Sequence, residues 1–391
     1  MVAAIEHITK HFNTKLINFD LATIDKNQNG ILDGRLGLIY YFFQMFKIEN
    51  DQIYIEKISE LLETVFEHCH NEELKISSDL NFCDGLSGLG FILKELIDAE
   101  ILDENYSVQL NIISDLALEH SLNTIKDSNF DYLYGAIGSL YYLTEVKNLP
   151  HCEIIIEELH KIGKQSNFLF YNKHADASNE GINFGLAHGN TAIQMVLINL
   201  VEKGCTKKEL FELIQNGVTQ LLKYEKEESI IEGSIKTFFP HNVTMENGLE
   251  NISRSVVLGW CNSEIDMALL INSFKKITKK DDYQLLSDKI GMESLKRKTE
   301  DTTGVYDYHF CHGSSGIAQL YQKLFNQTNI TAYDTAYNYW INETILYLEK
   351  EKENEVNEKS INLLYGWPGA LLTLQEYNNA SIKGWDKLFL I

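Results

Sequence analysis

Two cysteines and a histidine occupy two glycine-containing segments in the second half of the chain. Cys261 lies in the sequence Gly-Trp-Cys, and Cys311 is followed directly by His312 and a glycine. Two thiolates and an imidazole are a soft ligand set that suits Zn²⁺, and three protein ligands leave one position of a tetrahedral site open for a substrate. Each cysteine could instead be a small buried apolar residue, and His312 could cap a helix. Their equivalent places in successive segments favour a catalytic zinc site.

Two further polar residues lie in similar segments earlier in the chain. His188 precedes Gly189, and Asp131 lies four residues before Gly135. A histidine beside a metal-bound substrate can act as a general acid or base, and an aspartate can set its tautomer. Both residues could also cap helices, because loop polar side chains commonly do so. We predict that His188 and Asp131 take part in proton transfer.

These residues belong to a degenerate repeat of paired glycines followed by an apolar run. The copies recur roughly every 50 residues, with one longer interval of about 74 between the fourth and the fifth. A unit of this length holds two helices and two loops. The seven copies are Asp33–Leu38, Asp84–Leu89, Tyr134–Ser139, Gly185–Gly189, Gly259–Glu264, His312–Ile317 and Tyr365–Ala370.

The apolar patterning predicts how the two helices of each repeat are placed. The run after each glycine pair is apolar nearly all round, which is typical of a buried helix, whereas the second helix is amphipathic and charged. We therefore predict an all-α protein, an α/α toroid of seven inner and seven outer helices in which the last hairpin packs beside the first. The longer interval predicts a partly extended insertion near residues 225–253. No linker-like composition interrupts the chain, so we expect residues 1–391 to form a single domain.

Charge and composition narrow the classes of function. The 391 residues include 34 Lys and Arg against 56 Asp and Glu, a formal net charge of −22. This charge repels phosphate backbones and anionic lipids, so we expect no binding to nucleic acids or membrane surfaces. The longest apolar stretch, around Ala192 to Val201, is about half a membrane span, so we expect no stable membrane insertion. The N-terminus has no basic segment followed by an apolar one, and we expect a cytoplasmic protein. The six cysteines lack the regular spacing of a disulfide framework.

Four segments together resemble the lanthionine synthetase C-like family, the lantibiotic cyclases. The segments are Gly185–Gly189, Trp260-Cys261, Cys311–Gly313 and Leu364–Gly369, and the resemblance covers nearly the whole chain. It implies an α/α toroid with Zn²⁺ held by Cys261, Cys311 and His312. It also implies thioether formation, by addition of a peptide cysteine across dehydroalanine or dehydrobutyrine, with His188 and Asp131 as active-site residues.

The chain departs from the family pattern around the first zinc cysteine. Family cyclases usually carry an arginine four residues before it and Tyr-Gly directly after it, where this chain has Val257 and Asn262-Ser263. Arg254 lies seven residues before Cys261, about one helical turn further away, and is the candidate replacement. We predict that Arg254 supports His188 in catalysis.

The sequence therefore predicts a zinc-dependent peptide cyclase. Its expected substrate is a dehydrated precursor peptide, and a lantibiotic dehydratase and an exporter are the expected partners. The other interpretation is a non-catalytic toroid that binds a leader peptide or scaffolds a biosynthetic complex, and the departures at Val257 and Asn262 are what favour it.

Overall fold

Inner and outer helices alternate along the chain. The computed structural model describes residues 1–70, 80–173, 180–230 and 235–391. In these residues the inner helices are α2 (Arg35–Glu49), α4 (Leu86–Asp98), α6 (Ala136–Glu145), α8 (Asn190–Glu202), α10 (Glu264–Thr278), α13 (Ser314–Thr328) and α15 (Trp367–Asn378). The outer helices are α1 (Val2–Ile17), α3 (Gln52–His70), α5 (Ser107–Lys126), α7 (Leu149–Gln165), α9 (Lys208–Leu221), α11 (Asp282–Ser294) and α14 (Thr331–Glu351), with a one-turn helix α12 (Glu300–Thr303) before α13. The predicted α/α toroid is confirmed.

Burial separates the two kinds of helix as the apolar pattern predicts. Every residue of α2 from Arg35 to Met45 is buried, which an inner helix requires. The outer helix α9 buries only one face, through positions three and four residues apart such as Leu210, Leu213 and Ile214. Each inner helix packs against the inner helices of the two neighbouring repeats, and α15 packs against α2. The last repeat therefore closes the ring on the first.

Glycines mark the start of the inner helices. Six of the seven begin directly after a glycine, and α10 begins after Ser263. A Cβ atom on Gly34 would lie 2.5 Å from the carbonyl oxygen of Gln28, so the preceding loop can fold tightly against the helix start only at glycine. In the fourth and fifth repeats the helix starts after Gly189 and Ser263, four residues later than the glycines that define the sequence repeat.

The loops that precede the inner helices are joined to one another by backbone hydrogen bonds. The link between the last repeat and the first is Leu364 N–H to Leu32 O, at 2.9 Å. The other backbone links are Ile31 N to Cys83 O, Cys83 N to Leu133 O, Cys311 N to Leu364 O, Cys261 N to Cys311 O and Ala187 N to Cys261 O, at 2.7–3.3 Å. These bonds fix the loops in a ring at one end of the toroid.

The insertion is built from short antiparallel strands, as predicted for residues 225–253. Its strands are β2 (Glu228–Ile230), β3 (Ile235–Thr237), β4 (Asn242–Glu246) and β5 (Leu249–Ser253), and β1 (Ile182–Asn183) pairs with β4. Asn247 and Gly248 both have positive φ and form the two-residue turn between β4 and β5. Residues 231–234 of the insertion lie outside the described residues.

The C-terminal residues fill the centre of the ring. Tyr132 donates its hydroxyl to Leu388 O at 2.6 Å, and the Trp260 indole N–H donates to Phe389 O at 2.7 Å. The Phe389 ring stacks on Phe310 with centroids 4.0 Å apart. This segment therefore forms the floor beneath the loops described above. In the described part of the chain, every helix is too short or too polar to cross a lipid bilayer.

Candidate active site

The inner helices all begin at the same end of the ring, which we call the mouth. We call the glycine, or Ser263, directly before each inner helix the helix-start residue. The residues directly before these seven are Asp33, Asp84, Tyr134, His188, Asn262, His312 and Tyr365. The residues one position earlier are Leu32, Cys83, Leu133, Ala187, Cys261, Cys311 and Leu364. The partial positive charges of seven helix N-termini converge here, which suits anionic groups such as thiolates.

Cys261, Cys311 and His312 come together in the mouth. Their ligand atoms all lie within 4.8 Å of one another, with Cys311 buried and the other two half-buried. The backbone bond from Cys261 N to Cys311 O, at 3.2 Å, holds the two loops side by side. A Cβ atom on Gly259 would lie 2.7 Å from the Cα atom of His312, so a glycine is needed for this approach.

Cys261, Cys311 and His312 shift one another's pKa values. A hydrogen bond from Cys311, followed by the hydrogen bond and charge of His312, places the pKa of Cys261 well below its usual value. The same thiol–thiolate hydrogen bond, together with burial, raises the pKa of Cys311, and contact with Cys261 raises that of His312. The deprotonated form is therefore favoured at Cys261 over Cys311.

These residues fit a zinc ion. Tetrahedral Zn²⁺ takes sulfur ligands at about 2.3 Å and nitrogen at about 2.0–2.1 Å, so two ligands of one ion lie roughly 3.5–3.8 Å apart. Ligand atoms that already lie within 4.8 Å of one another reach this spacing through small side-chain movements. The lowered pKa of Cys261 favours the thiolate form that metal binding requires.

His188 and Asp131 form a hydrogen-bonded pair on the same rim. His188 Nδ1 lies 2.6 Å from a carboxylate oxygen of Asp131, which is fully buried. The other carboxylate oxygen accepts the backbone N–H groups of Leu133 and Tyr134 at 2.7 and 2.9 Å, so the carboxylate is held in one orientation. The backbone bond from Ala187 N to Cys261 O, at 3.2 Å, joins the loop of His188 to that of Cys261. The charge of His188 also contributes to the lowered pKa of Cys261.

The structure adds three residues that sequence reasoning did not identify, which are Asp307, His309 and Tyr365. Asp307 holds His309 Nδ1 at 2.9 Å, and their ligand atoms lie within 4.8 Å of those of His312. The Tyr365 hydroxyl hydrogen-bonds the Cys311 thiol. The spacing Asp-x-His-x-Cys-His was the available sequence signal for Asp307 and His309. For Tyr365 the signal was its place directly before Gly366.

The structure places Arg254 elsewhere. Its guanidinium lies 2.9 Å from a Glu228 carboxylate oxygen and donates to the Thr237 hydroxyl at 3.0 Å, so its described contacts are within the insertion. There it lines a cavity of about 900 Å³ together with residues such as Tyr224 and Glu250. The catalytic role of Arg254 stays a prediction.

The residues after Cys261 have structural roles that account for their departure from the family pattern. The Asn262 amide donates to Asn183 Oδ1 at 2.9 Å and to His241 O at 3.2 Å, so its side chain supports the insertion. The Ser263 N–H donates to a carboxylate oxygen of Asp266 at 2.8 Å, and the serine caps α10 where the other repeats use glycine.

Comparisons with known proteins identify the family and the fold. The family model "Lanthionine synthetase C-like protein" matches residues 25–390, and the chain belongs to this family. Among solved structures, the chain matches nisin cyclase with a TM-score of 0.74 at 19% identity, over 99% of this chain and 96% of that one. A match to an α-1,6-mannanase of Salegentibacter sp. has a TM-score of 0.44 at 12% identity, over 95% of this chain and 99% of that one. No curated protein sequence matches the chain.

Proposed function

We propose that the protein is a zinc-dependent lanthionine cyclase. It adds cysteine thiolates of a ribosomal peptide to dehydroalanine or dehydrobutyrine and so forms thioether rings. The observation that supports this most is the convergence of Cys261, Cys311 and His312 in the mouth, with His188 nearby. Membership of the lanthionine synthetase C-like family and the fold shared with nisin cyclase support the same activity.

Cys261, Cys311 and His312 would hold the ion. Bound Zn²⁺ would supply a positive charge that lowers the pKa of the substrate thiol, which is about 8.5 for a free cysteine. The partial positive charges of the helix N-termini favour the same thiolate and the enolate that follows its addition. The hydrogen bond between Tyr365 and Cys311 orients one ligand.

His188 would deliver the proton that completes the addition. Attack of the thiolate on the β-carbon makes an enolate, which must then be protonated at Cα. Asp131 accepts the hydrogen bond from His188 Nδ1, so Nε2 is the nitrogen that transfers the proton. The buried carboxylate also stabilises the imidazolium form of the histidine, as a fixed anion next to a general acid does.

The substrate would be a dehydrated precursor peptide. Because the protein has a net charge of −22, a neutral or cationic peptide is the better match. A lantibiotic dehydratase would supply this substrate, and an exporter would take the product. Such chemistry fits the cytoplasmic location expected from the sequence, where cysteine thiols stay reduced.

Elemental analysis and a cyclisation assay test the proposal. Purified protein is expected to hold zinc that Cys311→Ala removes, and a dehydrated peptide is expected to lose free thiols without any change in mass. The matched control is Cys205→Ala, since Cys205 is equally buried but is not one of the three candidate ligands. Folded wild-type protein without zinc would refute the cyclase mechanism.

A non-catalytic binding module is the second candidate. Asn262, where the family pattern has tyrosine, forms hydrogen bonds with Asn183 and His241. Val257 replaces the arginine of that pattern, and the contacts of Arg254, its candidate replacement, are within the insertion. Such a protein would bind the dehydrated peptide and leave its thiols unchanged. A zinc-loaded protein that binds the peptide without consuming thiols would therefore favour this candidate.

A further inference from the structure

The ring of Tyr134 lies beside the imidazole of His188. The two residues come directly before the helix-start residues of neighbouring repeats, and both are half-buried. Their rings are nearly parallel, with an interplanar angle of 13° and centroids 6.4 Å apart. This is the offset-stacked arrangement that aromatic pairs favour. The tyrosine therefore packs along a face of the imidazole, whereas Asp131 binds its edge at Nδ1.

One loop supplies both of these contacts to His188. One carboxylate oxygen of Asp131 lies 2.6 Å from His188 Nδ1, and the other accepts the N–H groups of Leu133 and Tyr134 at 2.7 and 2.9 Å. An aspartate side chain that bonds the backbone two residues further on stabilises a turn. The carboxylate that binds the imidazole therefore also fixes the backbone of the tyrosine that stacks on it.

The far end of the Tyr134 side chain is held by the preceding repeat. The Cys83 thiol donates to the Tyr134 hydroxyl, with the sulfur and the oxygen 3.8 Å apart, and Cys83 is 3% exposed. The Cys83 N–H also donates to Leu133 O at 2.9 Å, which joins the two loops. Contacts at both ends thus keep the phenol ring in place beside His188.

An imidazole needs contacts in two directions to keep one orientation. The hydrogen bond to Asp131 fixes the position of Nδ1, but the ring can still rotate about the line of that bond. A second ring packed parallel to the imidazole opposes this rotation. Catalytic groups lose rate when they are misplaced even slightly, so a fixed imidazole plane favours proton transfer.

We propose that Tyr134 is a positioning residue that holds the imidazole plane of His188, so that Nε2 faces the substrate enolate. This inference rests on the proposed function, because it assigns His188 the role of proton donor. It gives Tyr134 no part in proton transfer itself. The aromatic ring, and not the hydroxyl, is what the role requires.

Cyclisation kinetics on full-length, zinc-loaded variants test this role. Tyr134→Leu should lower kcat by about three- to tenfold, which corresponds to the loss of one aromatic pair, with KM and zinc content unchanged. Tyr134→Phe should keep the wild-type kcat, because it retains the ring and loses only a weak thiol–hydroxyl bond. Tyr377→Leu is the matched control. Tyr377 is also a half-buried tyrosine; its hydroxyl donates to Asn338 Oδ1 at 2.7 Å and its ring packs on Tyr337 with centroids 5.6 Å apart. Its loss should leave kcat unchanged.

The mobility of the His188 ring gives a second readout that needs no activity. In protein labelled with ¹³C at the histidine Cε1 atoms, the His188 signal is identified by its absence in His188→Gln. NMR relaxation should show a more mobile ring in Tyr134→Leu and a wild-type ring in Tyr134→Phe. Unchanged ring mobility in Tyr134→Leu, or equal losses of kcat in the leucine and phenylalanine variants, would overturn the positioning role. Wild-type protein that consumes no peptide thiols would refute the proposed function, and the relaxation data would still decide whether Tyr134 holds the imidazole.

Discussion

The buried ion pair between Arg297 and Glu264 gives the sharpest test of how the candidate active site is supported. Arg297 donates to a Glu264 carboxylate oxygen at 2.7 Å and to Lys236 O at 2.8 Å, and its side chain is fully buried. Glu264 lies three residues after Cys261, and its carboxylate also accepts the Phe239 N–H at 3.2 Å. The pair therefore joins the insertion to the start of α10.

Replacing Arg297 by methionine would leave the Glu264 carboxylate buried without its cation. Removing one partner of a buried ion pair costs about 3–5 kcal/mol, a large part of a typical stability of about 5–15 kcal/mol. Arg254→Met is the matched control, because Arg254 forms a similar pair with Glu228 at 2.9 Å, but Glu228 is 37% exposed. A pair of this kind contributes roughly 0–1 kcal/mol.

The loss should also depend on pH. Burial raises the pKa of Glu264 even with Arg297 present, and removing the guanidinium raises it further. The folded variant then binds a proton more tightly than the unfolded chain does, so its stability falls as the pH rises through the folded pKa. Urea denaturation at pH 5 and pH 8 should give a larger deficit for Arg297→Met at the higher pH. Equal losses for Arg297→Met and Arg254→Met, or a deficit independent of pH, would refute this reasoning.

Three further substitutions give separate tests. Asp131→Asn should lower kcat/KM for cyclisation by about 10²–10⁴-fold with zinc content unchanged, because His188 loses its anionic partner; a fall of less than about tenfold would contradict the proton-transfer role. Ser263→Ala should lower the free energy of unfolding by about 1–2 kcal/mol, because α10 loses the side chain that caps it. Urea denaturation measures this loss, and an unchanged midpoint would contradict the capping role of Ser263. Trp260→Phe leaves the Phe389 carbonyl without its donor, and we expect a loss of about 1–3 kcal/mol; full wild-type stability would show that the C-terminal floor does not depend on this bond.

Much of the fold could be predicted because the repeat signal and the structural requirement coincide. Glycines such as Gly34 recur where a Cβ atom would strike the preceding loop, and the apolar runs that follow them are the helices that line the ring. The register of the fourth and fifth repeats was harder to predict. Ser263 replaces the helix-start glycine of the fifth repeat, and Gly185 is an additional glycine four residues before Gly189, so the paired-glycine pattern aligned both repeats four residues too early.

Cysteine and histidine residues at repeat positions could be proposed from the sequence, whereas Tyr365, also at a repeat position, and residues further from the helix starts were missed. Cys261 and Cys311 lie at equivalent positions, so their convergence could be expected. Asp307 and His309 lie further from the helix start, and only the folded loop brings them beside His312. The contacts of Arg254 depend on the strands of the insertion, which no repeat pattern encodes.

The position of the pair formed by Asp131 and His188 follows from how the ring is joined. Six of the seven junctions between neighbouring loops have the backbone bonds described above, including the one from Ala187 N to Cys261 O. The junction between the third and fourth repeats is bridged by the side chains of Asp131 and His188. Because one loop supplies the carboxylate and the next supplies the imidazole, any movement between these repeats would lengthen a 2.6 Å hydrogen bond. The closed ring therefore fixes the orientation of His188 relative to Cys261, and a proton donor at this junction is held by the same contacts that hold the fold.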